Sequence, residues 1–269
     1  MKSSTEMERA AWHAERLEVL RKPDGWLTLV GLDFLEDGEY TVGRGEGARL
    51  RYVNCEQPIC GTFLVEDECV SYRAHGETLV RVLVADDAGT PSVIRSGSVS
   101  FTLVRRNGQL ALRVRDSKSP VRTGFAGIEL FPFDPSLAVE ARVFVPDASA
   151  SIAITNVTGF VEEQAIAAEL EFELAGEVHR FVATEGSAGR LFVVFADASN
   201  GVETSPTGRF LDVPAPLGGR TTLDFNRAVN PPCSFTAFAT CPLAPASNRL
   251  PVRVLAGERR SSEGHGASD

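Results

Sequence analysis

Strict alternation of apolar and charged residues is the feature that most constrains this chain. Between Glu169 and Leu174, the residues Leu170, Phe172 and Leu174 interleave with Glu169, Glu171 and Glu173. Successive side chains of a strand point to opposite faces, so a period of two makes a strand with one face in a core and one in water. Wound as a helix, the same segment would put its glutamates on opposite sides of the cylinder. Leu137–Val145 repeats the pattern, with Leu137, Val139, Ala141, Val143 and Val145 on one face and Glu140 and Arg142 on the other. Glu77–Ala85, Gln109–Arg115, Ser151–Val157, Val178–Thr184, Arg190–Phe195 and Thr221–Phe225 add further strands between Gly- and Asp-containing turns. Many short strands at close spacing predict a mainly β fold, a β-sandwich or barrel-like set of antiparallel sheets.

The N-terminus departs from this pattern. Met7, Ala10, Ala14 and Leu17 recur at helical spacing, which predicts an amphipathic helix over Thr5–Arg21 with Ser4 or Thr5 as its cap. Pro23-Asp24-Gly25 ends it. The organisation read from these signals is an N-terminal helix over 1–24, a β subdomain over 25–106, a second β domain over 107–258 and a mobile polar tail over 259–269. The middle boundary rests on the Asn107-Gly108 hairpin signal, which can equally join two strands of one domain. Eight prolines fall between Pro206 and Pro251 among apolar anchors such as Phe225 and Phe235, and this texture predicts long, rigid loops pinned to a core.

Composition excludes several classes. The net charge of −9 opposes a general nucleic-acid binder, which needs a basic face. No run approaches the ~18 apolar residues of a membrane span, and the N-terminus lacks the apolar core of a secretory signal. The expected location is therefore cytoplasmic, with no membrane partner, and the five cysteines are expected as reduced thiols. Only Lys2, Lys22 and Lys118 among the basic residues are lysine; arginines hold anions in bidentate fashion better. The sequence assigns no oligomeric state.

Few stretches of the chain approach a cofactor motif. Gly43–Gly47 lacks the third glycine of a dinucleotide loop and reads as a tight hairpin turn. Gly186-Ser187-Ala188-Gly189 falls one residue short of a nucleophile elbow and reads as a turn. Cys55 and Cys60 make one C-x₄-C pair, but Cys69, His75, Cys233 and Cys241 supply no second close C-x₂₋₄-C or H-x₃₋₅-H pair, so no metal is expected, and no organic cofactor either. His13 falls on the helix and His265 in the tail, which leaves His75 and His179 as candidate bases.

The densest polar group lies in the last third. Asp197, Glu203, Thr204 and Arg209 lead into Asp224, Asn226, Arg227 and Asn230, then Asn248, Arg249 and Glu258. Pro231-Pro232 gives this segment a stiff mount. One reading is an internal network that ties the carbonyls of irregular loops. The other is a pocket for a small anionic ligand, with Asp224 and Glu258 as acid and base and Arg209, Asn226, Arg227, Asn230, Asn248 and Arg249 as ligand contacts. Cys233 is a further candidate nucleophile if Arg227 lowers its thiol pKa.

Four stretches carry a resemblance: Gly25–Gly43, Arg113–Pro135, Thr207–Val213 and the long motif Asp224–Glu258. Together they make the chain similar to the bacterial and archaeal domain-of-unknown-function family number 1684. The family pattern places a tyrosine where Ser205 stands and another where Val229 stands, so a tyrosine-dependent activity is not carried over. The resemblance implies boundaries and no reaction. Glu39–Arg44 also resembles the forkhead-associated β-sandwich, which bears on topology alone. The functional expectation is a small-molecule hydrolase-like enzyme using the carboxylate, arginine and asparagine cluster. The competing one is a non-catalytic β module that binds an anionic metabolite or a protein partner.

Overall fold

The computed structural model describes residues 4–260. It is mostly β and its sheets are almost entirely antiparallel, with one N-terminal helix, α1 (Ser4–Arg21). The chain divides into two compact units, one made of Glu18–Phe125 and the other of Met1–Leu17 with Ala126–Asp269. Among the described residues no helix is long and apolar enough to cross a membrane.

The unit Glu18–Phe125 carries β1 (Leu29–Phe34), β2 (Gly38–Gly43), β3 (Leu50–Arg51), β4 (Gly61–Glu66), β5 (Cys69–Ala74), β6 (Val80–Val82), β7 (Val93–Ser96), β8 (Val99–Arg106) and β9 (Gln109–Asp116). They form a four-stranded sheet in the order β1-β9-β8-β7 and a five-stranded sheet in the order β3-β2-β4-β5-β6. Phe63, Phe101, Leu112 and Val42 lie in the core between them, none more than 1% exposed. Asn107-Gly108 closes the β8–β9 hairpin, with φ of 53° and 74°, the left-handed pair that a two-residue turn matched to strand twist requires. The turn therefore sits inside one sheet, and the division between the units falls at Phe125/Ala126. The Gly43–Gly47 run does turn the chain, but β2 and β3 pair in parallel, so it does not close a hairpin.

The other unit carries β10 (Ala138–Phe144), β11 (Ser151–Thr155), β12 (Val161–Ala165), β13 (Ala168–Leu174), β14 (Glu177–Glu185), β15 (Leu191–Phe195), β16 (Arg209–Val213) and β17 (Arg220–Asp224). Six of them form one sheet in the order β16-β15-β14-β13-β10-β17, and β11 and β12 form a hairpin apart. Leu170, Phe172 and Leu174 are buried as the alternation predicts, while their glutamate neighbours face outward to differing degrees. Phe172, Phe181, Phe195 and Phe225 build an aromatic core that mixes edge-on contacts, as between Phe195 and Phe225 at 5.3 Å, with a stacked pair, Phe181 and Phe195 at 6.0 Å.

The helix is where pattern and structure diverge. Met7, Ala10 and Ala14 are exposed, whereas Arg9, Trp12, His13, Arg16 and Leu17 are half-buried and Leu20 is fully buried. The helix thus turns inward a stripe that is partly charged and aromatic, because carboxylates and carbonyls await it in the C-terminal segment. The cap assigned to Ser4 or Thr5 lies outside the described side chains. Of the predicted tail only Arg259 and Arg260 are described, and their N–H groups donate to Glu129 and Glu203 carbonyls.

Candidate functional site

β17 delivers the polar segment. Leu223 fills the core and Asp224 leaves it; the chain then tightens into a 3₁₀ turn over Phe225–Arg227. Asp224 caps that turn, its Oδ1 accepting from the Asn226 N–H at 3.1 Å and from Asn226 Nδ2 at 3.0 Å. Its other oxygen pairs with Arg227 Nε at 3.4 Å. Asn226, fully buried, exchanges two hydrogen bonds with the backbone of Asp134, at 3.0 and 2.8 Å.

Glu258 is likewise fully buried, and both carboxylate oxygens are engaged. Arg16 Nε donates to Oε1 at 3.0 Å and the Asn230 N–H donates to Oε2 at 2.6 Å. Arg16 also reaches the Asn230 carbonyl at 3.1 Å, and Arg9 reaches that of Phe131 at 2.7 Å. Arg9, His13 and Arg16 recur every three or four residues and so share one helix face. His13 bonds the backbone of Ile128, and its Nε2 is buried with no hydrogen-bond partner. Burial lowers its pKa below the ordinary imidazole value; the Glu258 charge opposes that shift and Arg9 and Arg16 reinforce it. Asn230 Oδ1 is a second buried acceptor with no partner, although its Nδ2 donates to the Arg259 carbonyl at 2.8 Å.

Arg209 and Asn248 serve the chain's own backbone. Arg209 Nη2 donates to Asp197 Oδ2 at 2.6 Å and to the Val254 carbonyl at 2.8 Å, and Nη1 donates to the Ala256 carbonyl. Its guanidinium lies over the Phe195 ring, 5.0 Å from the centroid. Asn248 repairs a splay in the sheet. β14 and β15 pair only at Thr184↔Phe192 and Glu185↔Leu191, and beyond that the Asn248 amide bonds Val182 twice, at 2.8 Å each, and the Val194 carbonyl at 2.9 Å. Asn248→Ala would strand these backbone groups, and a loss of about 1–3 kcal/mol is expected in urea denaturation. Arg249 is exposed and bonds the Ala244 carbonyl at 3.2 Å.

The eight residues predicted as a site therefore form separate groups. Asp224, Asn226 and Arg227 cluster at one turn, Asn230 and Glu258 at another, and Arg209, Asn248 and Arg249 each stand elsewhere. A concavity of about 400 Å³ lined by Ser136, Leu137, Glu173 and Arg253 contains none of the eight. Sequence reasoning overlooked Arg9 and Arg16 and set His13 aside as a helix residue; the only signal joining the three was their common helical spacing. His179, named there with His75 as a candidate base, packs beside Phe172 at 5.8 Å.

Cys233 has neighbours other than the expected Arg227. Its Sγ lies 3.3 Å from Thr207 Oγ1, and its N–H donates to Cys241 Sγ at 3.2 Å. Ser205 joins Thr207 at 3.0 Å and Ser234 at 2.9 Å in a continuous row of hydroxyls. All five cysteines are free thiols, and no three His, Cys, Asp or Glu side chains among the described residues gather as a metal-binding set.

Residues 123–259 match the family model described as "Protein of unknown function (DUF1684)". The chain is also similar to an uncharacterized protein of Haloarcula marismortui solved by solution NMR. Identity is 32% over 53% of this chain and 80% of that chain, with a TM-score of 0.45. No curated protein matches.

Proposed function

The chain belongs to the DUF1684 family of proteins of unknown function, and from that premise we propose that its family-matched unit is a small-molecule hydrolase-like enzyme centred on His13. The observation that supports this reading is the pair of buried, unpartnered acceptors, His13 Nε2 and Asn230 Oδ1, beside the Glu258–Arg16 ion pair. Buried polar atoms are nearly always paired, so two such atoms suit a ligand that brings donors. The Ile128 backbone holds the imidazole and burial keeps it neutral at pH 7, which leaves Nε2 able to take a proton. In this reading Glu258 supports the imidazolium that forms, and Asp224 fixes the turn carrying Asn226.

Carboxylate esters and phosphoesters of p-nitrophenol, with amides of p-nitroaniline, test the reading. His13→Gln is expected to lower kcat/KM by about 10²–10⁴-fold with the melting temperature preserved. Because burial lowers the His13 pKa, the acid limb of kcat/KM should fall below the imidazole reference of 6.5. Stability follows the same sign: the His13 contribution holds above 6.5 and is lost as pH falls below it, and His13→Gln should remove that loss. No turnover of any ester class by the wild type, or an unchanged rate in His13→Gln, would sink the enzyme reading.

A second reading, non-catalytic binding of a small anion, draws on a different concavity. In the Glu18–Phe125 unit a cavity of about 440 Å³ is lined by the exposed Arg81 and Arg95 together with Tyr72 and Ser96, a volume within the usual range for small ligands. Citrate should raise the thermal midpoint of the wild type and leave Arg81→Ala/Arg95→Ala unmoved; an equal shift in both would remove this reading.

A further inference from the structure

We infer that Cys233 and Cys241 are a peroxide-responsive dithiol that closes to a disulfide within the folded protein. The pair is eight positions apart in sequence and is brought together by the loop. Pro231-Pro232 leads into a 3₁₀ turn over Pro232–Ser234 that fixes Cys233, with the Phe235 N–H bonded to the Pro232 carbonyl at 2.9 Å. The returning limb is fixed independently, because the Cys241 carbonyl accepts from the Val157 N–H at 2.9 Å and Asn156 bridges Pro242. Both thiols are thus mounted on bonded backbone, and the Cys233 N–H already points at Cys241 Sγ from 3.2 Å.

The two sulfurs differ in a way that assigns their roles. Cys233 is partly exposed, whereas Cys241 is 4% exposed, so an oxidant reaches Cys233 first. The hydrogen bond from the Cys241 thiol, helped by that from Thr207, lowers the Cys233 pKa to about 7, against the opposing effect of burial. Cys241 is pushed upward and keeps its proton, since it supplies that hydrogen bond. Cys233 is therefore the attacking thiolate and Cys241 the resolving thiol. Cys55 provides a contrast within the same chain: burial first, then its neighbour Cys60, pushes it to about 12, where the thiol is inert.

The chemistry balances with hydrogen peroxide or an organic hydroperoxide as oxidant. The Cys233 thiolate attacks the terminal peroxide oxygen, the S–O bond forms, the O–O bond breaks and the departing oxygen leaves as water or alcohol after taking a proton. The Cys241 sulfur then attacks the sulfenic sulfur; the S–S bond forms, the S–O bond breaks, and hydroxide leaves as water with the Cys241 proton. Two electrons pass from the two sulfurs to the peroxide.

Mass spectrometry on the full chain tests this. After hydrogen peroxide treatment and alkylation under denaturing conditions, the expected product is one disulfide joining the Cys233 and Cys241 peptides, with Cys55 and Cys60 alkylated. In Cys241→Ser the sulfenic acid has no resolving thiol, so dimedone should label Cys233; in Cys233→Ser, Cys241 should remain alkylatable. The wild-type measurement needs no variant to fold. Both cysteines alkylated after peroxide, or Cys233 carried to sulfinic acid with Cys241 free, would overturn the inference.

Discussion

Arg209→Met is expected to destabilise the unit that carries it by about 3–5 kcal/mol, a fall of roughly 6–20 °C in thermal midpoint for a domain of this size. The side chain and its partner Asp197 are both fully buried. Removing the guanidinium leaves the Asp197 carboxylate in the interior with only neutral donors, the Ser199 N–H at 2.8 Å, the Ser199 hydroxyl and the Val254 N–H at 3.2 Å. It also frees the Val254 and Ala256 carbonyls that Arg209 holds, and these belong to the irregular segment that leads into Glu258. The double variant Asp197→Leu/Arg209→Met should recover much of the loss, because an apolar pair of similar volume avoids desolvating either charge. Differential scanning calorimetry of the three proteins decides the matter. If the double variant is no better than Arg209→Met, the pair's energy lies in the backbone bonds of Arg209 and not in compensating Asp197.

Arg209 also illustrates what a single sequence reveals. In Arg209–Val213 the buried positions are Arg209, Leu211 and Val213, so the arginine occupies the apolar phase of a strand. The period of two was enough to place it in the core, yet its charge invited assignment to a ligand. Glu169–Leu174 raised no such conflict, since charge and phase agreed, and its burial was readable from sequence. The helix was readable as a helix but not in its orientation. Of the apolar stripe Met7, Ala10, Ala14 and Leu17 only Leu17 is half-buried, while the face turned inward is set by carbonyls and carboxylates more than a hundred residues away, as in Arg9 with Phe131 and Arg16 with Glu258. Local periodicity carries no information about such partners. The same limit explains His13: beside Glu258 it becomes the centre of the candidate site, and alone on a helix it is one polar residue among many. Cys233 and Cys241 stand eight positions apart in sequence, and their approach depends on how the proline-stiffened loop returns.

The second large effect is expected at Gly257, which sets where Glu258 sits. Its φ of +74° lies in the left-handed region, and a Cβ there would stand 2.3 Å from the Ala228 carbonyl oxygen. Gly257→Ala therefore meets two costs. The backbone conformation costs about 1–2 kcal/mol with any L side chain. The contact then forces apart two bonded segments, because the Glu258 N–H donates to that same Ala228 carbonyl at 2.9 Å and the Phe131 N–H donates to the Gly257 carbonyl at 3.0 Å. Buried groups that lose such bonds cost about 1–3 kcal/mol, so a total of about 2–5 kcal/mol is expected in urea denaturation. Gly218→Ala separates the two costs: its φ is +59°, and nothing lies within 4 Å of the added methyl. It should show the conformational cost alone. Equal losses in the two variants would mean that the close approach of Gly257 to Ala228 contributes nothing, and that Glu258 owes its position to Arg16 and Asn230 instead.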